Sequence, residues 1–183
     1  RNLIFPIFYK VSEFIINLRY DNVIFSTELL KKYLSNKTIK YCNFNFILNH
    51  ISKNKNKGKK IYDLIIYYRQ HKNKYSSFPY NLIEGLIKLN FKIIVVGDNL
   101  KIDKIKNYGY LSNKSVRSLQ SRSKFTISSD ENVYSLFVLE SLSNNVKILT
   151  DKRYKNQIKF FKKKFIVTDF NNLDTFKKVL KNN

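Results

Sequence analysis

Short apolar runs alternate with segments of helical periodicity from residue 61 to the end of the chain. The predicted strands are 61–68, 92–96, 124–128, 147–149 and 165–167. The predicted helices are 80–89, 113–120, 133–142, 158–163 and 173–180. Strands that alternate with helices favour a parallel sheet with helices on both faces, which is a Rossmann-like α/β architecture.

A polar segment, 51–60 (ISKNKNKGKK), separates this pattern from the first part of the chain and predicts a linker. Before it, residues 9–18 and 27–34 have helical spacing, with Ser26 as a cap, and 23–25 predict a short strand. So short a segment buries too little apolar surface to fold alone. We therefore predict that 1–57 are the remnant of a preceding domain with its linker, and that 58–183 are a Rossmann-like domain. We also expect the chain, which has no methionine, to be a piece of a longer protein.

Composition narrows the class of protein. Apolar residues make up 43% of the 183 residues, which is enough for a core, and no apolar run reaches the roughly 18 residues that cross a bilayer. The single Cys42 fits a reducing, cytoplasmic location. His50 and His71 have no partners at metal-ligand spacing, so we expect no metal site.

The net charge of +22 comes largely from lysine. Lysine and asparagine, which are abundant here, have AT-rich codons, whereas alanine, which is absent, has GC-rich codons. We therefore attribute much of the charge to genome composition. Because a field of this sign attracts anionic lipid, we still expect the protein to be peripheral at a membrane. The lysines are spread over every element, so we do not expect a nucleic-acid partner.

Polar residues follow the predicted strands, where parallel sheets bind ligands beyond their carboxyl ends. Arg69 and Lys74 follow the first strand of this domain, Gly97 and Asp98 the second, and Glu131 the third. Glu140 lies in the next helix. Cations, a helix N-terminus and carboxylates at one sheet edge suit a nucleoside diphosphate, because cations and amides bind phosphate and a carboxylate accepts ribose hydroxyl protons.

The order of these residues resembles the large retaining family of GT-B glycosyltransferases (glycosyl transferases group 1). Tyr68, Arg69 and Lys74 match the family's Gly-Arg…Lys element, with tyrosine in place of glycine. Val96-Gly97-Asp98 is similar to its strand end, and 107–111 (NYGYL) to the segment before its next helix. Upstream, 21–26 (DNVIFS) and Asn49-His50 are similar to the end of the family's N-terminal domain. The resemblance covers most of the chain.

The family's paired glutamates correspond to the stretch 130–140, with one departure. Glu140 is the second glutamate, whereas Asn132 occupies the position of the first and Glu131 lies one residue earlier. In the family the second glutamate contacts the donor ribose and the first lies near the donor sugar.

The resemblance thus implies metal-independent sugar transfer from a nucleoside diphosphate sugar to a glycan or lipid-linked hydroxyl acceptor, with no other cofactor. It implies catalytic roles for Arg69, Lys74 and Glu131. It implies donor-nucleotide binding by Gly97, Asp98, Tyr110, Leu111, Asn132, Ser135, Leu136 and Glu140.

Two alternatives stay open at the level of sequence. One is a non-catalytic, basic Rossmann-like module that binds RNA or an anionic surface. The other is an inactive glycosyltransferase homologue that acts as a partner subunit, which Asn132 in place of the first glutamate keeps open.

Overall fold

The computed structural model describes residues 23–25, 39–41, 58–71, 78–128, 133–158 and 161–182. The chain divides into two compact units, Arg1–His50 and Ile51–Asn183. In the first unit, strands β1 (Val23–Phe25) and β2 (Ile39–Tyr41) pair in parallel. The predicted strand 23–25 is therefore confirmed, and β2 is additional. The predicted helices 9–18 and 27–34 lie outside the described residues.

The second unit alternates strands and helices. Its strands are β3 (Tyr62–Tyr68), β4 (Ile93–Gly97), β5 (Lys106–Asn107), β6 (Ser123–Ile127), β7 (Lys147–Asp151) and β8 (Phe165–Thr168). Its described α-helices are α1 (Tyr80–Lys88), α2 (Asn113–Ser121), α3 (Leu136–Ser143) and α4 (Leu173–Asn182). Two 3₁₀ helices, Lys152–Gln157 and Lys162–Lys164, connect β7 to β8.

The six strands of this unit form one sheet in the order β5-β4-β3-β6-β7-β8, and every pair is parallel. The predicted Rossmann-like α/β class is thus confirmed. In chain order the first and fourth strands of the sheet are neighbours, as in the doubly wound fold. The connections leave β3 and β6 in opposite directions, so a crevice opens at their carboxyl ends.

Alternating side chains of β3 pack into different layers. Leu64 and Ile66 contact the core that contains Leu86 of α1 and Phe176 of α4. Ile65 faces the opposite layer, where it packs with Leu119 of α2. Burial of β3 on both faces explains why its central residues, 64–66, are all apolar.

Two predicted helices differ from the structure. The helix predicted at 133–142 begins at Leu136, because the Ser135 hydroxyl accepts a hydrogen bond from the Val138 amide and caps the first turn. In the described part of the helix predicted at 158–163, Ile158 and Phe161 are not helical, and Lys162 and Lys163 belong to the second 3₁₀ helix. The left-handed backbone of Phe161, with a φ of 53°, interrupts a regular right-handed α-helix at this point. Strand β5 was not predicted because Lys106 and Asn107 are both exposed.

None of the described helices combines the length and hydropathy that a bilayer-crossing segment requires.

Candidate active site

Two adjoining clefts lie at the carboxyl ends of the central strands. Tyr67 and Phe137 form the wall between them, with ring centroids 5.3 Å apart and planes inclined by 19°. The β4 cleft, of about 220 Å³, lies on the side of β4 and α2. The β6 cleft, of about 180 Å³, lies on the side of β6 and β7. Tyr67 is 40% exposed and forms part of the cleft wall, whereas Tyr68 and Phe125 are buried in the core.

The β4 cleft brings together five residues that the sequence analysis assigned to the donor nucleotide. They come from the end of β4, the loop before α2 and the body of α3: Gly97, Tyr110, Leu111, Leu136 and Glu140. Gly97 has a φ of 100°, and a Cβ added there would lie 2.3 Å from the Tyr68 carbonyl oxygen. Only glycine allows β4 to end so close to β3.

Glu140 supplies the carboxylate of the β4 cleft, and the residue is only 8% exposed. Burial raises the pKa of this carboxyl group, and the Arg117 guanidinium opposes that rise. Arg117 Nη2 lies 3.8 Å from Glu140 Oε1. Arg117 was not predicted as a site residue, because nothing in the periodicity of α2 indicates that its side chain reaches a residue of α3.

Asp98 lies at the rim and, among the described residues, is not part of the lining of either cleft. Its Oδ2 accepts a hydrogen bond of 2.7 Å from the Gln70 amide, and its Oδ1 accepts one from the Tyr110 hydroxyl. The bond from Tyr110, followed by the bond from Gln70, lowers the pKa of Asp98. The carboxylate thus ties the loop after β3 to the loop before α2.

The β6 cleft combines cations with an apolar wall. Arg69 follows β3, and its guanidinium carbon lies 5.7 Å from the centre of the Tyr67 ring. Ser135 and Leu136, two predicted donor-binding residues, line this cleft at the N-terminus of α3. Leu136 therefore lines both clefts.

Asp151 and Arg153 also line the β6 cleft, and neither was predicted as a site residue from the sequence. Burial would raise the pKa of Asp151, but hydrogen bonds from Arg153 and Phe170 outweigh it and lower that pKa. Asp151 Oδ1 accepts from the Arg153 amide and Nε at 2.9 and 2.8 Å, and Oδ2 accepts from the Phe170 amide at 3.1 Å. These bonds fix the backbone where β7 ends.

The remaining predicted site residues, Lys74, Glu131 and Asn132, lie outside the described residues and stay predictions. Within the described ranges, no group of three or more His, Cys, Asp and Glu side chains is arranged to hold a metal ion.

The described site therefore offers hydrogen-bond acceptors at Glu140, a guanidinium at Arg69 and the N-terminus of α3. A ligand with hydroxyl groups at one end and phosphates at the other matches this arrangement. Comparison with known proteins adds no family to this description: no family model matches the sequence, and no curated protein is significantly similar to it.

Proposed function

We propose that this chain binds a nucleoside diphosphate sugar and forms the donor side of a metal-independent glycosyltransferase of GT-B architecture. The observation that carries the proposal is the position of Glu140. A carboxylate that is almost buried, yet lines a cleft beside the central crevice of the sheet, is suited to recognise a polar ligand.

Glu140 would accept hydrogen bonds from the ribose hydroxyls, because a carboxylate offers two acceptor oxygens that can be shared between neighbouring hydroxyl groups. The apolar and aromatic surface of Tyr67, Leu111 and Phe137 in the same cleft would contact the planar base. Arg117 supports this role, because it favours the ionised form of Glu140 against the effect of burial.

The diphosphate would lie at the N-terminus of α3, beside Arg69. Ser135 and Leu136 are at this terminus, where backbone amides and the helix dipole favour negative charge. Lys74, which the sequence places after the same strand, would add a second cation.

In the proposed reaction, the bond between the anomeric carbon of the sugar and the diphosphate oxygen breaks, and its electron pair leaves with the diphosphate. A new bond forms between that carbon and a hydroxyl oxygen of a glycan or lipid-linked acceptor, which loses its proton. Arg69 and the α3 amides would stabilise the negative charge that develops on the leaving diphosphate. Glu131 keeps its proposed catalytic role, which rests on the family resemblance alone.

Nucleotide binding is the direct test of this proposal. We expect a nucleoside diphosphate to stabilise the chain more than the matching monophosphate in thermal shift assays with uridine, guanosine and adenosine nucleotides. At 100 times its dissociation constant, the preferred diphosphate should add about 2.7 kcal/mol to the free energy of unfolding. Equal shifts from monophosphate, diphosphate and inorganic phosphate would contradict a specific site.

The Glu140→Gln variant should weaken diphosphate binding by roughly tenfold or more, the equivalent of about 1.5 kcal/mol for a charged hydrogen bond. Glu84→Gln is the matched control, because Glu84 lies on α1, is half exposed and pairs with Lys88 away from the clefts. Glu84→Gln should retain the affinity. Binding that survives Glu140→Gln would show that the ribose assignment is wrong.

A further inference from the structure

The connection between β7 and β8 carries a concentrated positive charge. Its two 3₁₀ helices include Lys152, Arg153, Lys155, Lys162, Lys163 and Lys164. Lys152 pairs with Asp169 at 2.6 Å and Arg153 pairs with Asp151. Lys155, Lys162 and Lys163 are exposed, and none of the ion pairs among the described residues includes them.

A groove of about 360 Å³ runs along this connection, lined by Lys155, Asn156, Ile158, Lys162, Phe165 and Val167. We call it the lysine groove. Its sides carry two lysines, and its floor is apolar, formed by Ile158 and by two residues of β8. No carboxylate is among its lining residues. It is therefore both cationic and amphiphilic, and it differs from the β6 cleft, whose lining includes the Asp151 carboxylate.

The lysine groove opens on one face of the sheet. Phe165 and Val167 alternate with Ile166 along β8, and successive side chains of a strand point to opposite faces. Ile166 packs against the core that contains Phe176 and Leu180 of α4, whereas Phe165 contacts Tyr134, the residue before the Ser135 cap of α3. The groove and α4 thus lie on opposite faces at this end of the sheet.

We propose that the lysine groove docks the protein on an anionic phospholipid bilayer, in one orientation. Lysine ammonium groups at the rim attract lipid phosphates, while their aliphatic stems and the exposed Val167 side chain contact the glycerol and upper acyl region. This inference does not depend on the glycosyltransferase proposal.

A bilayer matches the groove better than RNA does. Binding of single-stranded RNA relies on open aromatic faces on which bases stack. In the described part of this region, Phe165 is buried and the Tyr154 ring lies under the Arg153 guanidinium, 5.4 Å away. Lysine ammonium groups beside apolar side chains instead suit a lipid, whose headgroup carries a phosphate and whose acyl chains are apolar.

The test is co-sedimentation of the full chain with vesicles of phosphatidylcholine alone and of phosphatidylcholine with about a third phosphatidylglycerol. The wild type should bind the anionic vesicles preferentially, and added salt should weaken the binding. Lys155→Gln/Lys162→Gln should lower the partition coefficient about 25-fold, since each lysine contributes about five-fold. Lys155→Glu/Lys162→Glu should lower it further.

Lys178→Glu/Lys181→Glu is the matched control, because it makes the same charge change on α4, on the opposite face. It should bind anionic vesicles within about three-fold of the wild type, less than the effect of a single membrane-facing lysine. Circular dichroism and thermal unfolding establish that each variant is folded.

Three results would overturn the proposal. Equal losses in the groove and α4 variants would mean that only total charge matters, and unchanged binding in the groove variants would place the membrane contact elsewhere. Single-stranded RNA that displaces the chain from vesicles, and that binds the groove variants at least about 25-fold more weakly than the wild type, would identify the groove as an RNA site instead.

Discussion

Glu140 illustrates how the surroundings of a single residue define the candidate site. Its position in the middle of a helix is compatible with an exposed carboxylate, but the structure buries it beside Arg117. Desolvation penalises the charged form of the group and therefore raises its pKa. A protein tolerates such a cost at a position where a ligand later supplies hydrogen bonds.

The raised pKa of Glu140 predicts a pH-dependent contribution to stability. The folded state holds this proton more tightly than the unfolded state, so the contribution is fully present below the ordinary pKa of glutamate. It is lost as pH rises through the raised pKa of the folded protein. Glu140→Gln, which cannot ionise, should therefore gain stability relative to wild type as pH rises from about 4 to 7.

Urea unfolding of the wild type and Glu140→Gln over this pH range measures that difference. Because Arg117 opposes the effect of burial on the pKa of Glu140, the gain in the free energy of unfolding should be modest, on the order of 1 kcal/mol. A constant difference between the two proteins at every pH would contradict the assignment of a raised pKa.

Asp98 holds the loops around the β4 cleft but is not among the described residues that line the cleft. The sequence assigns it to the donor nucleotide, whereas both of its carboxylate oxygens accept hydrogen bonds from Gln70 and Tyr110. We therefore interpret Asp98 as a positioning residue that holds Tyr110 and the loop of Arg69 at the edge of the β4 cleft.

Among the elements, the junction between β3 and β4 depends most on one backbone conformation. Gly97 has a left-handed φ of 100°, its amide donates to the Gly109 carbonyl, and the next amide, of Asp98, donates to the Tyr68 carbonyl. These bonds fix the end of β4 against both β3 and the loop that carries Tyr110.

We predict that Gly97→Ala destabilises the protein by about 2–4 kcal/mol, because the added Cβ meets backbone and the φ becomes strained. Gly85→Ala is the control. Its Cβ would lie 2.8 Å from Cδ2 of Leu173, the end of a side chain that can move, and alanine favours the helix by about 1 kcal/mol. Chemical denaturation should show a much larger loss for Gly97→Ala, and equal losses would contradict the role given to this junction.

The connection between β7 and β8 determines the shape and charge of the lysine groove. Six of the 13 residues from 152 to 164 are lysines, and Phe161 has a left-handed φ of 53° that a regular α-helix does not contain. The chain forms two short 3₁₀ helices instead, and the surface that they leave is the lysine groove.

For the whole molecule, the charge of +22 and the two compact units are the main features. Lys88, Lys124 and Lys152 pair with carboxylates. With 35 Lys and Arg against 13 Asp and Glu, most cations cannot have an acidic partner. The arrangement of the unneutralised charge, rather than its total, therefore determines whether the protein has a membrane-facing side.

We predict that the unit Ile51–Asn183 folds when it is expressed alone. Its two core layers contain their own buried residues on both faces of the six-stranded sheet, so it does not require the first unit to bury apolar surface. Thermal unfolding followed by circular dichroism and by tyrosine fluorescence should give one coincident, cooperative transition. A broad transition, or different midpoints for the two probes, would contradict an independent domain.

The sequence by itself determined the alternation of strands and helices in the second unit and therefore its Rossmann-like class. It also placed Arg69, Gly97, Ser135 and Glu140 where a parallel sheet brings them to neighbouring clefts. These features are readable because hydrophobic periodicity records which faces of an element are buried, and because parallel strands place their carboxyl ends at one edge.

Only the tertiary structure decided the pairing of Glu140 with Arg117, the bonds of Asp98, and the approach of Asp151 and Arg153 to the β6 cleft. It also decided the short strand β5 and the 3₁₀ connection that forms the lysine groove. The hydrophobic periodicity of an element shows which of its faces is buried, but not which other element packs against that face. Contacts between side chains of different elements depend on strand order and register, which bring together residues far apart in the chain.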